Sequence, residues 1–262
     1  MRSSSGVILE SPLLTLLTFL ALVFIGGYVQ TVAGFAMGMI LIAGSSALQL
    51  YPLPVTAAVV SLVSFLNIVL SLTGHLDRVR ARAFLAMLIG QLPMLAVGVW
   101  LLMWLDSSAE RVLRMLLGGF ILAGCTAMMI RPEPLPRVSS SAAFAVAGMG
   151  GGLLGGLFSA AGPVLGWFVY RQPWRVAEIR ATLLAAFAVS TVARTGVVGA
   201  DGGLTGEVWT LTAWSVPLVL VSVWLGRRFP PPLGERALRR AAFALLCAMG
   251  GWILLAALLE TP

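Results

Sequence analysis

The stretch GGYVQTVAGFAMGMI, residues 26–40, breaks a long apolar run with four glycines and with the polar pair Gln30 and Thr31. Such a break is costly if it lies inside a lipid bilayer. Every backbone N–H and C=O there must find a partner within the protein, and each unsatisfied group costs several kcal/mol. A polar, glycine-rich break in an apolar segment therefore indicates a backbone with a role other than spanning the bilayer.

The composition around this stretch predicts a membrane protein. Of 262 residues, 59% are hydrophobic and only 10% are charged. A water-soluble domain of this length cannot bury that much apolar surface, and long uncharged runs are typical of membrane spans. The predicted apolar segments leave no room for a soluble domain; they are 12–32, 35–50, 53–73, 84–104, 112–130, 140–158, 160–170, 179–198, 207–225 and 238–258. The first run continues straight into the glycine-rich stretch, which is not typical of a cleaved signal peptide.

A polar, proline-rich segment at the midpoint, RPEPLPRVSSS (131–141), divides the chain into two similar halves. A second glycine-rich stretch, GMGGGLLGGLFSAAGPVLG (148–166), follows it, and a shift of 125 residues places Gly26 and Gly27 on Gly151 and Gly152. We therefore predict an internal repeat. The N-terminal repeat is 1–130, with a broken helix at 12–50 and spans at 53–73, 84–104 and 112–130. Residues 131–139 form a predicted cytoplasmic linker. The C-terminal repeat is 140–262, with a broken helix at 140–170 and spans at 179–198, 207–225 and 238–258.

The arginines predict how the two halves are oriented. All 17 basic residues are arginine. If each glycine-broken segment crossed the membrane once, the arginines would divide seven to ten between the two sides. If each segment enters and returns as a re-entrant hairpin, 13 lie on one side and four, namely Arg2, Arg111, Arg114 and Arg194, on the other. The positive-inside rule favours the second arrangement. It predicts an all-α polytopic membrane protein with two inverted-topology repeats, the linker inside and both termini outside, on the periplasmic side.

The breaks themselves predict an anion site. Pro163 follows the sequence SAAG, and proline favours the first turn of a helix, so we expect a short helix to begin there. Its first amides, near Ser159 to Gly162, and those of a counterpart near Gly34 to Ala36 would then attract an anion without any buried Lys or Arg. The predicted substrate-binding residues are Gln30, Gly34, Phe35, Asn67, Ser159, Ala160, Gly162, Ser190, Thr191 and Arg194. The alternative is that the glycines are only positions of close helix packing.

Asn67, Arg180 and Arg194 are polar residues that lie within predicted spans or at their ends. Asn67 lies on a polar stripe of the span 53–73, with Ser61, Ser64 and Ser71, and its amide needs several partners. Arg194 either extends to the nearby membrane surface or draws anions into an outer vestibule. Arg180 is either an anchor at the inner face or part of the route by which the anion enters.

Other chemistries have little support. The carboxylates lie in loops or at span ends, so no acidic proton relay is evident. His75 is the only histidine, and it has no partners that would form a metal site. We expect no metal and no cofactor. The net charge of +7 could suggest a nucleic-acid partner, but the arginines lie in short loops between spans, so we expect none.

The glycine stretches resemble those of the sulfite exporter TauE/SafE family, as does AEIRATLLAAFAVSTVAR (177–194). Positions that match the family pattern are Gly27, Gly34, Gly38, Gly152, Gly156, Gly162 and Pro163. Positions at which another small or apolar residue stands are Thr31, Ala36, Met37, Ser159 and Ala161. The resemblance covers nearly the whole chain. It implies a transporter of small sulfur-containing anions such as sulfite or organosulfonates.

These observations lead to one functional expectation and two alternatives. We expect a bacterial inner-membrane exporter of a small sulfur oxyanion or sulfonate, held at the midplane between the two broken helices. The first alternative is an importer or exchanger of the same anions. The second is an intramembrane enzyme, which the residues disfavour because no nucleophile–base pair lies at depth. The expected partners are the anion and the lipid bilayer; a homo-oligomer is left open.

Overall fold

The computed structural model describes residues 11–33, 37–129, 134–229 and 235–259, and these residues form ten α-helices, one 3-10 helix and no strand. The first half contains α1 (Pro12–Ala33), α2 (Met37–Ala47), α3 (Leu53–Leu72), the 3-10 helix (Leu76–Arg78), α4 (Ala81–Ser108) and α5 (Glu110–Met129). The second contains α6 (Ser141–Phe158), α7 (Gly162–Tyr170), α8 (Val176–Ala200), α9 (Gly206–Arg228) and α10 (Glu235–Leu259). The predicted all-α class is confirmed.

Six of these helices, α1, α3, α4, α6, α8 and α9, are long and apolar enough to cross a membrane. Large apolar side chains such as Ile89 and Trp100 are exposed on the outside of the bundle, which suits contact with lipid. By contrast, α2 has 11 residues and α7 has nine. At about 1.5 Å per residue each covers roughly half of a hydrocarbon layer about 30 Å thick. The span predicted at 84–104 lies within the longer helix α4.

The chain reverses direction at both glycine-rich breaks. Between α1 and α2, Gly26 packs on Leu41 while Gly44 packs on Leu22. Earlier residues of α1 thus contact later residues of α2, as in an antiparallel pair. Between α6 and α7, Gly151 packs on Leu165 and Gly155 on Ala161, with the same antiparallel order. We call these pairs hairpin 1 (residues 12–47) and hairpin 2 (residues 141–170). Each hairpin therefore pairs a long helix with a short one.

Several glycines serve only to bring helices together. Gly148, Gly152 and Gly156 recur every four residues along α6, and each lies directly against a backbone carbonyl of α4. Gly90 and Gly98 of α4 lie in the same way against α6. Small residues at this spacing allow two backbones to approach closely in a membrane. The close packing of these five glycines agrees with the packing alternative.

The helices of the two halves interlock in matching pairs. Helix α4 packs on α6 and α8, and α9 packs correspondingly on α1 and α3. Helix α3 packs on α8, and α5 on α10. Exchanging each of α1–α5 with its counterpart in α6–α10 turns these pairs into one another. The centre of the bundle is therefore the place where the two hairpins and helices α3 and α8 meet.

Candidate anion-binding site

A cavity of about 50 Å³ lies where the two hairpins meet α3 and α8. A space measured in this way needs about 10–15 Å³ to hold one water, so this one has room for a small polyatomic ion. Residues of both halves line it. Seven of the ten predicted substrate-binding residues are among them: Gln30, Ser159, Ala160, Gly162, Ser190, Thr191 and Arg194. Two others, Gly34 and Phe35, lie outside the described residues, and Asn67 does not line the cavity.

Arg194 is the cation of this cavity, and it is only 2% exposed. Its Nε donates to the carbonyl of Gly156 (3.1 Å), and its Nη1 donates to the carbonyl of Ala57 (2.9 Å) and to Ser61 Oγ (3.0 Å). Gly156 has a carbonyl available because α6 ends two residues later, and the last carbonyls of a helix lack partners within it. The broken helix thus creates the environment that holds a guanidinium in the core.

Two sequence-based expectations about charge are therefore wrong. The anion site was expected to contain no buried Lys or Arg, yet the guanidinium of Arg194 lines the cavity. Arg194 also neither extends to the membrane surface nor lies in an open vestibule, because its side chain is buried against hairpin 2. No carboxylate of the described residues lies within ion-pair distance of it. A buried cation without a counter-charge is unfavourable, so the cavity favours an anion.

Three of the residues that line the cavity each have a buried side-chain atom without a hydrogen-bond partner: Arg194 Nη2, Gln30 Nε2 and Ser64 Oγ. Gln30 Oε1 accepts from the amide of Met37 (3.2 Å), which leaves the NH₂ group of Gln30 as the unpaired end. Each such group costs about 1–3 kcal/mol when it is buried without a partner. Three donors that share one cavity therefore indicate an acceptor that binds there.

The turn of hairpin 2 forms one wall. Ser159 has left-handed backbone geometry (φ 50°), and its Oγ donates to the carbonyl of Ala57 (2.8 Å). Helix α7 begins at Gly162, one residue before the predicted start at Pro163, and no side chain caps it. Its first amides have no partner within the helix, and a helix N-terminus favours negative charge. Gly38, at the start of α2, packs against the carbonyl of Ser159, so the two breaks are in direct contact.

Two residues of the predicted site, Ser190 and Thr191, donate their hydroxyl hydrogen bonds to carbonyls of their own helix. Thr191 Oγ1 donates to the carbonyl of Phe187 (2.9 Å), and Ser190 Oγ donates to that of Ala186 (2.6 Å) while accepting from Gln91 Nε2 (2.7 Å). They shape the wall of the cavity, whereas Ser64 has the unpaired hydroxyl. Ser64 and Ser61 both lie on the polar stripe of α3. The spacing of the stripe does not show that Ser61 binds Arg194 while Ser64 has no partner.

Comparison with known proteins agrees with this architecture. The family profile described as sulfite exporter TauE/SafE matches residues 19–253. The chain belongs to this family. A probable sulfite/organosulfonate exporter TauE of Cupriavidus necator is 42% identical over 246 residues, which cover 94% of this chain and 96% of the relative. No solved structure matches the chain. The resemblance seen in the glycine stretches is confirmed, and TauE/SafE proteins are transporters rather than enzymes.

Asn67 joins two helices of this TauE/SafE protein and does not line the cavity. Its Nδ2 donates to the carbonyl of Gly27 (3.1 Å) and to Thr31 Oγ1 (3.3 Å), so it fastens the last turns of α1 to α3. Gly27 lies so close to Ser222 that a side chain would not fit there. Arg180 Nη2 donates to the carbonyl of Thr31 (2.8 Å) from a separate cleft.

The described part of the chain contains no group of three His, Cys, Asp or Glu side chains placed to hold a metal ion. The polar groups of the cavity are hydrogen-bond donors, which suit the oxygens of an anion.

Proposed function

We propose that this TauE/SafE protein carries a small sulfur oxyanion or sulfonate across the bacterial inner membrane, and that the anion binds in the cavity between the two hairpins. One observation carries the proposal: three residues that line one cavity, Arg194, Gln30 and Ser64, each have a buried donor without a partner. Sulfite and the sulfonate group each present three oxygens on one sulfur. One donor for each oxygen, with the guanidinium as counter-charge, would satisfy all three buried groups.

The three donors come from both halves of the chain, which suits transport as well as binding. Gln30 and Ser64 come from α1 and α3 of the first half, whereas Arg194 comes from α8 of the second. An anion bound by all three holds the halves together, and its release allows them to separate. Movement of one half against the other around a central site is the usual route of alternating access.

The same proposal includes the inverted repeat, with residues 1–130 and 140–262 as its two copies and 131–139 as a cytoplasmic linker. Three observations support it. Each half begins with a helical hairpin that has a short second helix. The pairs that α4 forms with α6 and α8 repeat in those that α9 forms with α1 and α3. The hairpin arrangement also divides the arginines 13 to four, which puts both termini on the periplasmic side.

Export is the direction that we propose. An inside-negative potential drives an anion outward by about 2.3 kcal/mol per charge at 100 mV, so no proton relay is required. The relative from Cupriavidus necator is named as a probable exporter. Import or exchange of the same anions is the alternative, and the two differ in their response to an imposed potential.

The test is transport by the purified protein in liposomes loaded with radiolabelled sulfite. We expect efflux that an inside-negative potential accelerates, loss of efflux in Arg194→Gln, and normal efflux in Arg82→Gln, an exposed arginine outside the cavity. Efflux that requires an anion on the opposite side would indicate exchange. Normal efflux by Arg194→Gln would refute the site.

A further inference from the structure

A second cavity, of about 430 Å³, gathers positive charge close to the end of α1. We call it the basic cleft; its lining includes His75, Arg78, Arg180 and Arg227. The three arginines come from three different elements: the 3-10 helix, α8 and α9. No Asp or Glu lines the cleft, and Asp77 of the same 3-10 helix is exposed outside it.

Arginines in loops are expected from the positive-inside rule alone, but that rule does not require them to face one cavity. A cleft that is lined by one sign of charge concentrates counter-ions and raises their rate of association. The basic cleft therefore has the charge of an anion-binding surface.

One contact joins this cleft to the central cavity. Arg180 Nη2 donates to the carbonyl of Thr31 (2.8 Å), which lies in the last turn of α1 and has no donor within that helix. Thr31 follows Gln30, which lines the central cavity and has an unpaired side-chain NH₂ group. Arg180 thus lines the cleft and at the same time holds the turn that carries one of the three central donors.

We propose that the basic cleft is a second anion-binding site, which receives the transported oxyanion before it reaches the central cavity, and that Arg180 releases Thr31 when the anion binds. This inference rests on the proposed function. An anion offers a guanidinium an opposite charge and a bidentate geometry that a neutral carbonyl lacks, so a bound anion competes for Arg180. Loss of the Arg180–Thr31 bond removes one of the contacts that hold the end of α1 next to Gln30, while the bonds from Asn67 remain.

Arg227 is the better residue for the first test because it lines the cleft but not the central cavity, and its side chain is exposed. Its Nη2 donates to the carbonyl of Leu70 at the rim. The matched control is Arg82→Gln, an exposed arginine on the first turn of α4 that lies outside the cleft. Both substitutions remove one positive charge from the same arginine-rich part of the protein.

The first experiment counts radiolabelled sulfite bound to the detergent-purified protein at low ionic strength. We expect two equivalents in the wild type and in Arg82→Gln. Arg227→Gln should weaken one equivalent about fivefold, the upper range for an exposed ion pair, and high salt should remove the same equivalent. Arg194→Gln should remove the other. A single equivalent that Arg194→Gln abolishes would overturn the cleft and leave the proposed function intact. Binding that depends on Arg227 but not on Arg194 would overturn the central site instead.

The second experiment follows the Arg180–Thr31 bond by hydrogen exchange in residues 27–33. In Arg194→Gln, where the central site is disabled, added sulfite should speed exchange in this turn. In the double variant with Arg180→Gln, exchange should already be fast and should not respond to sulfite. Exchange in the Arg194→Gln protein that sulfite leaves unchanged would contradict the release of Thr31.

Discussion

Gly38 packs directly against the backbone carbonyl of Ser159, so the first turn of α2 touches the turn that ends α6. The contact joins the two hairpins, one from each half of the chain, beside the central cavity that both residues line. Any side chain at residue 38 would have to push the hairpins apart. The position of the two breaks relative to each other is therefore set by a glycine and a carbonyl.

The first prediction tests this contact. Gly38→Ala places a Cβ atom against a backbone oxygen that has no side-chain freedom, and overpacking of this kind costs about 1–3 kcal/mol. We expect a lower melting temperature and strongly reduced sulfite transport. The control is Gly119→Ala on α5, where nothing lies within 4 Å of an added Cβ. Alanine favours a helix over glycine by about 1 kcal/mol, so the control should be as stable as the wild type or more stable. Equal behaviour of the two variants would contradict the packing described.

The second prediction concerns the geometry of Arg194. Arg194→Lys keeps the charge but replaces a planar fork by a single ammonium group, which cannot reach Gly156, Ala57 and the cavity together. We expect sulfite binding to weaken by about tenfold or more, equivalent to about 1.4 kcal/mol. The loss should be similar at low and high salt because buried charges are poorly screened. Titration at two ionic strengths measures both effects. A loss that disappears at high salt would indicate an exposed, steering role for Arg194.

The third prediction separates Asn67 from the binding site. Asn67→Ala removes the donor that joins α3 to Gly27 and Thr31, so we expect the free energy of unfolding to fall by about 1–3 kcal/mol. The affinity for sulfite should change much less, because Asn67 does not line the cavity. Thr210→Ala is the control, since its exposed hydroxyl bonds only to the carbonyl of Gly206 in its own helix (2.8 Å). Thermal melting with and without sulfite distinguishes the outcomes. A full loss of affinity with unchanged stability would place Asn67 in contact with the anion.

The fourth prediction concerns the charge of the substrate. Arg194 contributes one positive charge, and no Asp, Glu or His is among the residues that line the cavity. A monoanion leaves the loaded cavity neutral, whereas a dianion leaves a net buried negative charge, which costs several kcal/mol. We expect methanesulfonate to inhibit sulfite transport much better than sulfate does. Transport at fixed total sulfite should also fall as the pH rises, because hydrogensulfite loses its proton near neutral pH. Equal inhibition by both competitors would show that charge is not selected.

The fifth prediction tests the topology. In a variant without Cys125 and Cys247, single cysteines placed in the 131–137 linker and at the C-terminus should react from opposite sides of the membrane. The measurement is labelling of intact cells with a reagent that does not cross the membrane, which should modify only the C-terminal cysteine. Labelling of both positions from one side would rule out the inverted repeat.

Much of this architecture can be read from local features of the chain. Apolar length predicts the helices, since a bilayer accepts only segments whose backbone groups are satisfied internally. The glycine stretches and Pro163 mark the breaks, because proline favours a helix start and glycine permits close packing. These features are encoded by neighbouring residues. The sequence by itself therefore determined the helical membrane class, the two breaks and the family resemblance.

The tertiary structure decided which of the marked residues share one site. Arg194 was treated as a residue near a span end, but the carbonyls that surround it belong to Ala57 and Gly156, which are 137 and 38 residues away in the chain. Ser64 and Asn67 lie one turn apart on α3, yet only Ser64 reaches the cavity, because α1 covers Asn67. Periodicity places residues on a helix face, whereas burial and pairing depend on which helix packs against that face. That choice is made by contacts between distant segments, so only the folded bundle could show that the proposed anion site contains a buried cation.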